Sequence, residues 1–373
     1  MKYQVHTQNG MVNRGNWSKI KNCMRRAEKG EAITTGFLGG SITQGSLSST
    51  PETCYAYLVY SWWKEKFPEA DITFLNAGIG GTTSQFGVSR VEDHVLKYEP
   101  DFVLVEFAVN DDNTEFFQET YEGLIRKICK DKSNPAVLLM NNVQYDDGKN
   151  AEEIHLTVAK AYNLPMVSMK STIWPEVEAG RIERSEITPD NLHPNDEGHA
   201  LVAKVITDFL ENIYEEMDKE EEAPFTDGFP EPITANAYEN SVRYQNFNSE
   251  PEAVGFLADN EPQENIREIF RRGWTAGHIG DRICFWIDCT GVAVQYRKSV
   301  RKPVPIAKVV VDDLEDQAVI LDANFQQDWG DCLHIDTITR HMEAGKHKVE
   351  ISIVETHEDD VVPFYLVSVI GSN

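Results

Sequence analysis

No apolar run in this chain reaches the roughly 18 residues that a membrane-spanning helix requires. The opening residues Met1-Lys2-Tyr3-Gln4-Val5-His6-Thr7-Gln8 lack the apolar core of a signal peptide. The expectation is a cytoplasmic protein without a membrane partner. Positive charge is scarce: 35 Lys and Arg stand against 61 Asp and Glu, a formal net charge of −26. That balance argues against nucleic acid or an anionic bilayer as partner, because both recruit cations. Neutral or weakly charged substrates fit better. Cysteine is also sparse, at positions 23, 54, 129, 284, 289 and 332, with no CxxC spacing. Buried free thiols are expected, rather than a disulfide framework or a zinc site. No HExxH, P-loop or GxGxxG signature occurs, so no cofactor and no catalytic metal are called for.

What is present is enough chain for two cores, written in two codes. From Thr34 to about Met217, apolar runs at Thr34–Leu38, Ile72–Leu75, Phe102–Phe107, Ala136–Met140 and Met166–Val167 alternate with segments of helical period. Such alternation predicts a parallel sheet with helices on both faces. A helix over Asp196–Met217, opened by an acidic first turn and carrying Leu201, Val205, Phe209 and Ile213, closes that domain. Residues 218–232, with Glu220-Glu221-Glu222 and prolines at 224, 230 and 232, break both periods and read as an exposed linker. Beyond it, Arg282–Asp288, Val292–Tyr296, Ala307–Val311, Val319–Leu321, His347–Ile353 and Phe364–Ile370 are short, β-branched and aromatic, and bounded by Gly, Pro or Asp. The reading is an α/β domain over 1–217, a linker over 218–232 and an all-β sandwich over 233–373.

Three predicted strands end in residues that carry chemistry. Ser41 follows Gly39-Gly40 after the first run, a context that puts a hydroxyl at the carboxyl edge of the sheet, where open α/β folds bind ligands. Taken alone, the pattern is equally a loop or a phosphate cradle. Asp190 and His193 are three apart before the closing helix, so one turn brings carboxylate and imidazole together, as a base and its orienting group require. The plain alternative is a turn after Pro189. Asn110 ends the third run and can donate its amide to a developing oxyanion, or can belong to a helix cap before Thr114. Gly80-Gly81 follows the second run and offers backbone N–H groups to the same crevice, or is a simple turn. His199 reads as structural on the closing helix. His94 and His155 read as surface or satisfied core residues, with no carboxylate motif beside them. In the second domain Trp329, set among polar residues in Gln326–Asp331, is either an exposed platform for a sugar ring or a core residue, whereas Trp286 between Phe285 and Ile287 reads as core.

The blocks Gly-Gly-Ser-Ile-Thr-x-Gly, Asn-Ala-Gly-Ile-Gly-Gly-Thr-Thr-Ser, Val-Asn-Asp and Asp-x-x-His-Pro occur here in the order of the SGNH (GDSL-type) hydrolase superfamily, and the resemblance covers about residues 30–215. It implies a three-layer α/β/α domain with Ser41 as nucleophile, His193 as base and Asp190 as its partner. The oxyanion hole would be formed by the N–H groups of Ser41 and Gly81 with the Asn110 amide. Gly40 stands where many members have Asp, and Ala108 where many have Gly. The segments from Gly273-Trp274 to Gly345-Lys346-His347 resemble a jelly-roll-like, family-35-type carbohydrate-binding module. The combination resembles carbohydrate esterase family 17, the mannan-oligosaccharide acetylesterases. That resemblance implies an acetylated oligosaccharide as substrate, with the 2-O-acetyl of mannose as target. A lipid or thioester hydrolase is the alternative enzyme, and an inactive sugar-binding protein the alternative class. A homodimer is carried as an expectation without a sequence feature behind it.

Overall fold

Five apolar runs form parallel strands: β2 (Ile33–Gly39), β3 (Ile72–Gly78), β4 (Phe102–Glu106), β5 (Ala136–Asn141) and β6 (Met166–Ser168), preceded by a short β1 (Met11–Asn13) that joins β6 antiparallel. All five residues of β4 and all six of β5 are buried, as strands covered on both faces must be. The order is β1-β6-β5-β4-β2-β3. β2 therefore lies between β3 and β4, and the chain reverses its direction of winding there. In a computed structural model describing residues 2–226 and 228–373, this sheet and its helices make one unit ending at Asn236; a second begins at Ala237.

The helices of the first unit are α1 (Ser18–Glu28), α2 (Ser41–Gln44), α3 (Tyr55–Lys66), α4 (Ser84–His94), α5 (Glu115–Cys129), α6 (Glu152–Ala161), α7 (Ile173–Glu178) and α8 (Asp196–Glu215). α1 and α3 pack with α8, while α5 packs between α4 and α6. Trp17, Ile20, Val59, Trp63, Val205 and Phe209 meet Phe37, Phe102 and Leu104 of the sheet in one core. Amphipathic helices in two groups on an apolar parallel sheet are the three layers expected from the alternating pattern.

In the span 218–232, expected as an exposed linker, the described residues are exposed or half-buried, and several are fastened to the first unit. Glu221 pairs with Arg14 and, at 3.2 Å, with the buried Lys21, and it accepts the Trp17 N–H at 2.6 Å. The Pro230 carbonyl accepts from Arg126 at 2.8 Å, and Phe229 lies over Tyr162 with ring centroids 5.5 Å apart. Composition announced polarity and broken periods; it could not announce that cations and an aromatic face wait at the right places.

The second unit is all-β. Its strands are β7 (Val242–Tyr244), β8 (Glu252–Val254), β9 (Leu257–Ala258), β10 (Trp274–Ala276), β11 (Arg282–Cys289), β12 (Gly291–Lys298), β13 (Ile306–Val311), β14 (Val319–Asp322), β15 (Cys332–Thr339), β16 (Gly345–Glu355) and β17 (Phe364–Ser372). They form two antiparallel sheets, β15-β12-β17-β10-β9 with β7 also on β17, and β14-β13-β16-β11-β8. Side chains such as Phe285, Ile287, Val294, Val309, Ile351 and Leu366 from both sheets fill the space between them. Trp286 is a correction: it is 52% exposed, because the period of two that buries Phe285 and Ile287 turns it outward. None of the six cysteines forms a disulfide, and five are buried. Among the described residues no helix is long and apolar enough to cross a membrane.

Candidate active site

The carboxyl ends of β2, β3 and β4 lie side by side at the point where the winding reverses, the place where open α/β sheets leave a crevice. Ser41 is the first residue of α2 and 8% exposed. The helix lies so close to the sheet that a Cβ on Gly39 would sit 2.1 Å from Thr43 Oγ1, and one on Gly78 would sit 2.1 Å from the Gln44 backbone nitrogen. Glycine at these two strand ends is a requirement of close approach.

From the opposite side of the crevice, the loop before α8 brings His193 Nε2 to 2.7 Å from Ser41 Oγ, while His193 Nδ1 lies 2.7 Å from Asp190 Oδ2. Asp190 Oδ1 accepts the backbone N–H groups of Leu192 at 3.0 Å and His193 at 2.7 Å, so one carboxylate shapes the turn and holds the ring. Asn191 takes φ 70°, a left-handed conformation that Asn tolerates, and its carbonyl accepts the Tyr145 N–H at 2.7 Å. Burial alone would raise the Asp190 carboxyl, but the His193 ring and the two N–H groups outweigh it and hold it below the ordinary carboxylate value. An ionised partner at Nδ1 leaves Nε2 to receive a proton from Ser41.

Gly80 N–H is taken by Gln44 Oε1 at 2.6 Å. Gly81 has φ 68°, where a side chain is strained, and a Cβ there would meet nothing within 4 Å, so conformation and not space favours glycine here. Asn110 sits in a turn in which its N–H and that of Asp111 both bond Phe107 O, at 3.0 and 2.9 Å. The cap of α5 is Thr114, which accepts Phe117 N–H at 3.4 Å, so Asn110 is not consumed as a cap. A Cβ on Gly40 would come 2.4 Å from Asn110 Oδ1. Glycine at this position thus leaves the Asn110 amide where it stands. Glu106, the last residue of β4, is fully buried and accepts the Ala108 N–H at 3.1 Å. Burial pushes its carboxyl up to about 8, against the backbone N–H groups of Ala108, Asn142 and Val109 that favour the charged form.

His199 is structural, as expected: its Nδ1 accepts the Tyr55 N–H at 3.2 Å, Nε2 faces Ser46 O at 3.2 Å, and burial lowers its pKa to about 4. His155, read as having no carboxylate motif beside it, in fact lies 3.1 Å from Asp111. The two are 44 residues apart, and only the fold joins them. Trp329, in the second unit, is 62% exposed in the loop between β14 and β15, its ring edge-on to Phe325 at 5.0 Å.

The sequence profile of the GDSL-like lipase/acylhydrolase family matches residues 37–201, the span holding all the residues of this crevice. A crystal structure of a two-domain esterase active on acetylated mannans, co-crystallised with mannopentaose, is 56% identical, covers 100% of this chain and 99% of its own, and superimposes with a TM-score of 0.95. A second crystal structure of a two-domain esterase active on acetylated mannans gives 0.96 at the same identity, with 99% of each chain covered. Among curated sequences, thioesterase 1/protease 1/lysophospholipase L1 of Escherichia coli K12 is 26% identical over 179 residues, 46% of this chain and 80% of its own length. The chain belongs to the GDSL-like (SGNH) lipase/acylhydrolase family of carboxylic ester hydrolases, and it has the two-domain form.

Proposed function

We propose that this chain is a serine acetylesterase acting on acetylated manno-oligosaccharides, with the 2-O-acetyl of mannose as its target. The observation that carries the proposal is the hydrogen-bonded series Ser41–His193–Asp190 at the crevice, in a chain alike from end to end to an esterase active on acetylated mannans. Ser41 Oγ attacks the acetyl carbonyl as His193 Nε2 takes its proton, and the carbonyl oxygen becomes an oxyanion facing the N–H groups of Ser41 and Gly81 and the Asn110 amide. As the C–O bond to the sugar breaks, His193 returns the proton to the departing sugar hydroxyl. A water deprotonated by His193 then attacks the acetyl-serine, and acetate leaves as Ser41 regains its proton. Trp329 is proposed as a platform for a sugar ring, its exposure supporting the role. The cytoplasmic expectation belongs with this proposal, the substrate then being an imported oligosaccharide; cell fractionation tests it.

Mass spectrometry of an acetylated manno-oligosaccharide mixture, with NMR to locate the acetyl removed, is the test. Wild type should release acetate, and Ser41→Ala should lose essentially all turnover while keeping its circular dichroism and melting temperature. Turnover retained by Ser41→Ala would sink the nucleophile assignment. Octanoyl esters cleaved in preference to acetyl esters would move the substrate toward the lipid and thioester class of the 26% identical relative.

A further inference from the structure

We infer that Asp111 and His155 form a second, wholly buried carboxylate–imidazole pair whose task is to hold the oxyanion donors in register. This positioning role rests on the reading of Gly81 and Asn110 as those donors. Neither side chain has any exposure. A carboxylate taken out of water is costly unless it is paired and hydrogen-bonded, so its presence calls for partners and for a purpose. Asp111 Oδ1 accepts the N–H of Ser84 at 2.9 Å, and Ser84 opens α4 directly after the loop that carries Gly81. The Asp111 backbone shares the Phe107 carbonyl with Asn110. One carboxylate therefore ties the loop after β3 to the turn after β4.

His155, on α6, holds that carboxylate from behind. Its Nε2 lies 3.1 Å from Asp111 Oδ2 and its Nδ1 lies 3.2 Å from Asn141 Oδ1, at the end of β5. Tyr121 stacks on the ring, with centroids 3.6 Å apart and planes 12° apart. Both ring nitrogens face polar partners and the side chain is fully buried, so His155 is placed to orient Asp111. His193 is the reverse case, 22% exposed with Nε2 on the serine.

The test is a set of steady-state measurements on acetylated substrate with Asp111→Asn, His155→Phe and His155→Gln, each alone and combined with Asn110→Ala. Asn110→Ala alone should lower kcat by about 10²–10³-fold; if kcat is unchanged, the oxyanion reading itself fails and the positioning role goes with it. Given that loss, Asp111→Asn and His155→Phe should each lower kcat about 10- to 100-fold with KM within about twofold, the signature of donors moved by a fraction of an ångström. His155→Gln, whose amide nitrogen can stand in for Nε2 toward Asp111, should recover most of the rate. In the Asn110→Ala background the Asp111 and His155 losses should shrink to the part carried by Gly81, because the pair acts through both donors. Full additivity with Asn110→Ala, or a lowered melting temperature with kcat intact, overturns the proposal. Should His155→Phe fail to fold, the near-isosteric Asp111→Asn cycle decides alone.

Discussion

Two single residues show how tightly the crevice is specified. At Gly40 a Cβ would come 2.4 Å from Asn110 Oδ1, so a side chain there would make the Asn110 amide shift. Glu106 is the electrostatic counterpart, a carboxyl in a place where charge is disfavoured, raised from the ordinary 4.5 to about 8 chiefly by burial. Between those two values the folded protein keeps a proton that the unfolded chain has released, so this group makes stability fall as pH rises across the window. Glu106→Gln removes the titration while its amide oxygen can still accept from Ala108. The expected outcome in urea unfolding is a variant that gains on wild type from pH 5 to pH 9, by at most about 1.4 kcal/mol per pH unit. Parallel pH profiles for the two proteins would refute it.

At the scale of elements, the site depends on how the start of α8 is attached to the segment after α2. Asn195 caps α8 by accepting the Gly198 N–H at 3.1 Å, and Asp196 follows in the first turn, where a negative charge suits the helix dipole. Asp196 Oδ1 accepts the Ser49 N–H and the Thr53 hydroxyl, both at 2.7 Å, and Oδ2 accepts the Ser49 hydroxyl at 2.6 Å. The base loop and the segment following the nucleophile are thereby clamped together. These hydrogen bonds hold the Asp196 carboxyl below its ordinary value, so its contribution is present at neutral pH and lost as pH falls through that lowered value. Asp196→Ala should cost about 1 kcal/mol, discounted for its exposure, or roughly 2–4 °C in Tm at pH 7. The deficit should shrink in acid, and a deficit independent of pH would assign the effect to packing. The strands were more legible than this clamp. β4, β5 and β6 were readable because both faces are buried. β2 and β3 were readable by the runs Thr34–Leu38 and Ile72–Leu75, although the edge strand β3 is partly exposed, whereas β1 and β15 carry too little apolar pattern to announce themselves.

For the whole molecule the dominant number is the net charge of −26. Like charges on a folded chain repel, and salt screens them, the Debye length falling from about 30 Å at 0.01 M to about 8 Å at physiological ionic strength. Melting temperature should therefore rise between those conditions. A fall would mean that screened ion pairs, such as those of Glu221 with Arg14 and Lys21, contribute more than self-repulsion costs. The sequence by itself determined the two codes, the order of the blocks, and the candidates Ser41, Gly81, Asn110, Asp190 and His193, because period and strand-end position are local properties of a chain. Tertiary structure alone decided that several of residues 218–232 are fastened to the first unit, that Trp286 faces outward, and that Asp111 meets His155. Those outcomes depend on surfaces and partners supplied by segments far apart in sequence, and no local pattern encodes a distance between them.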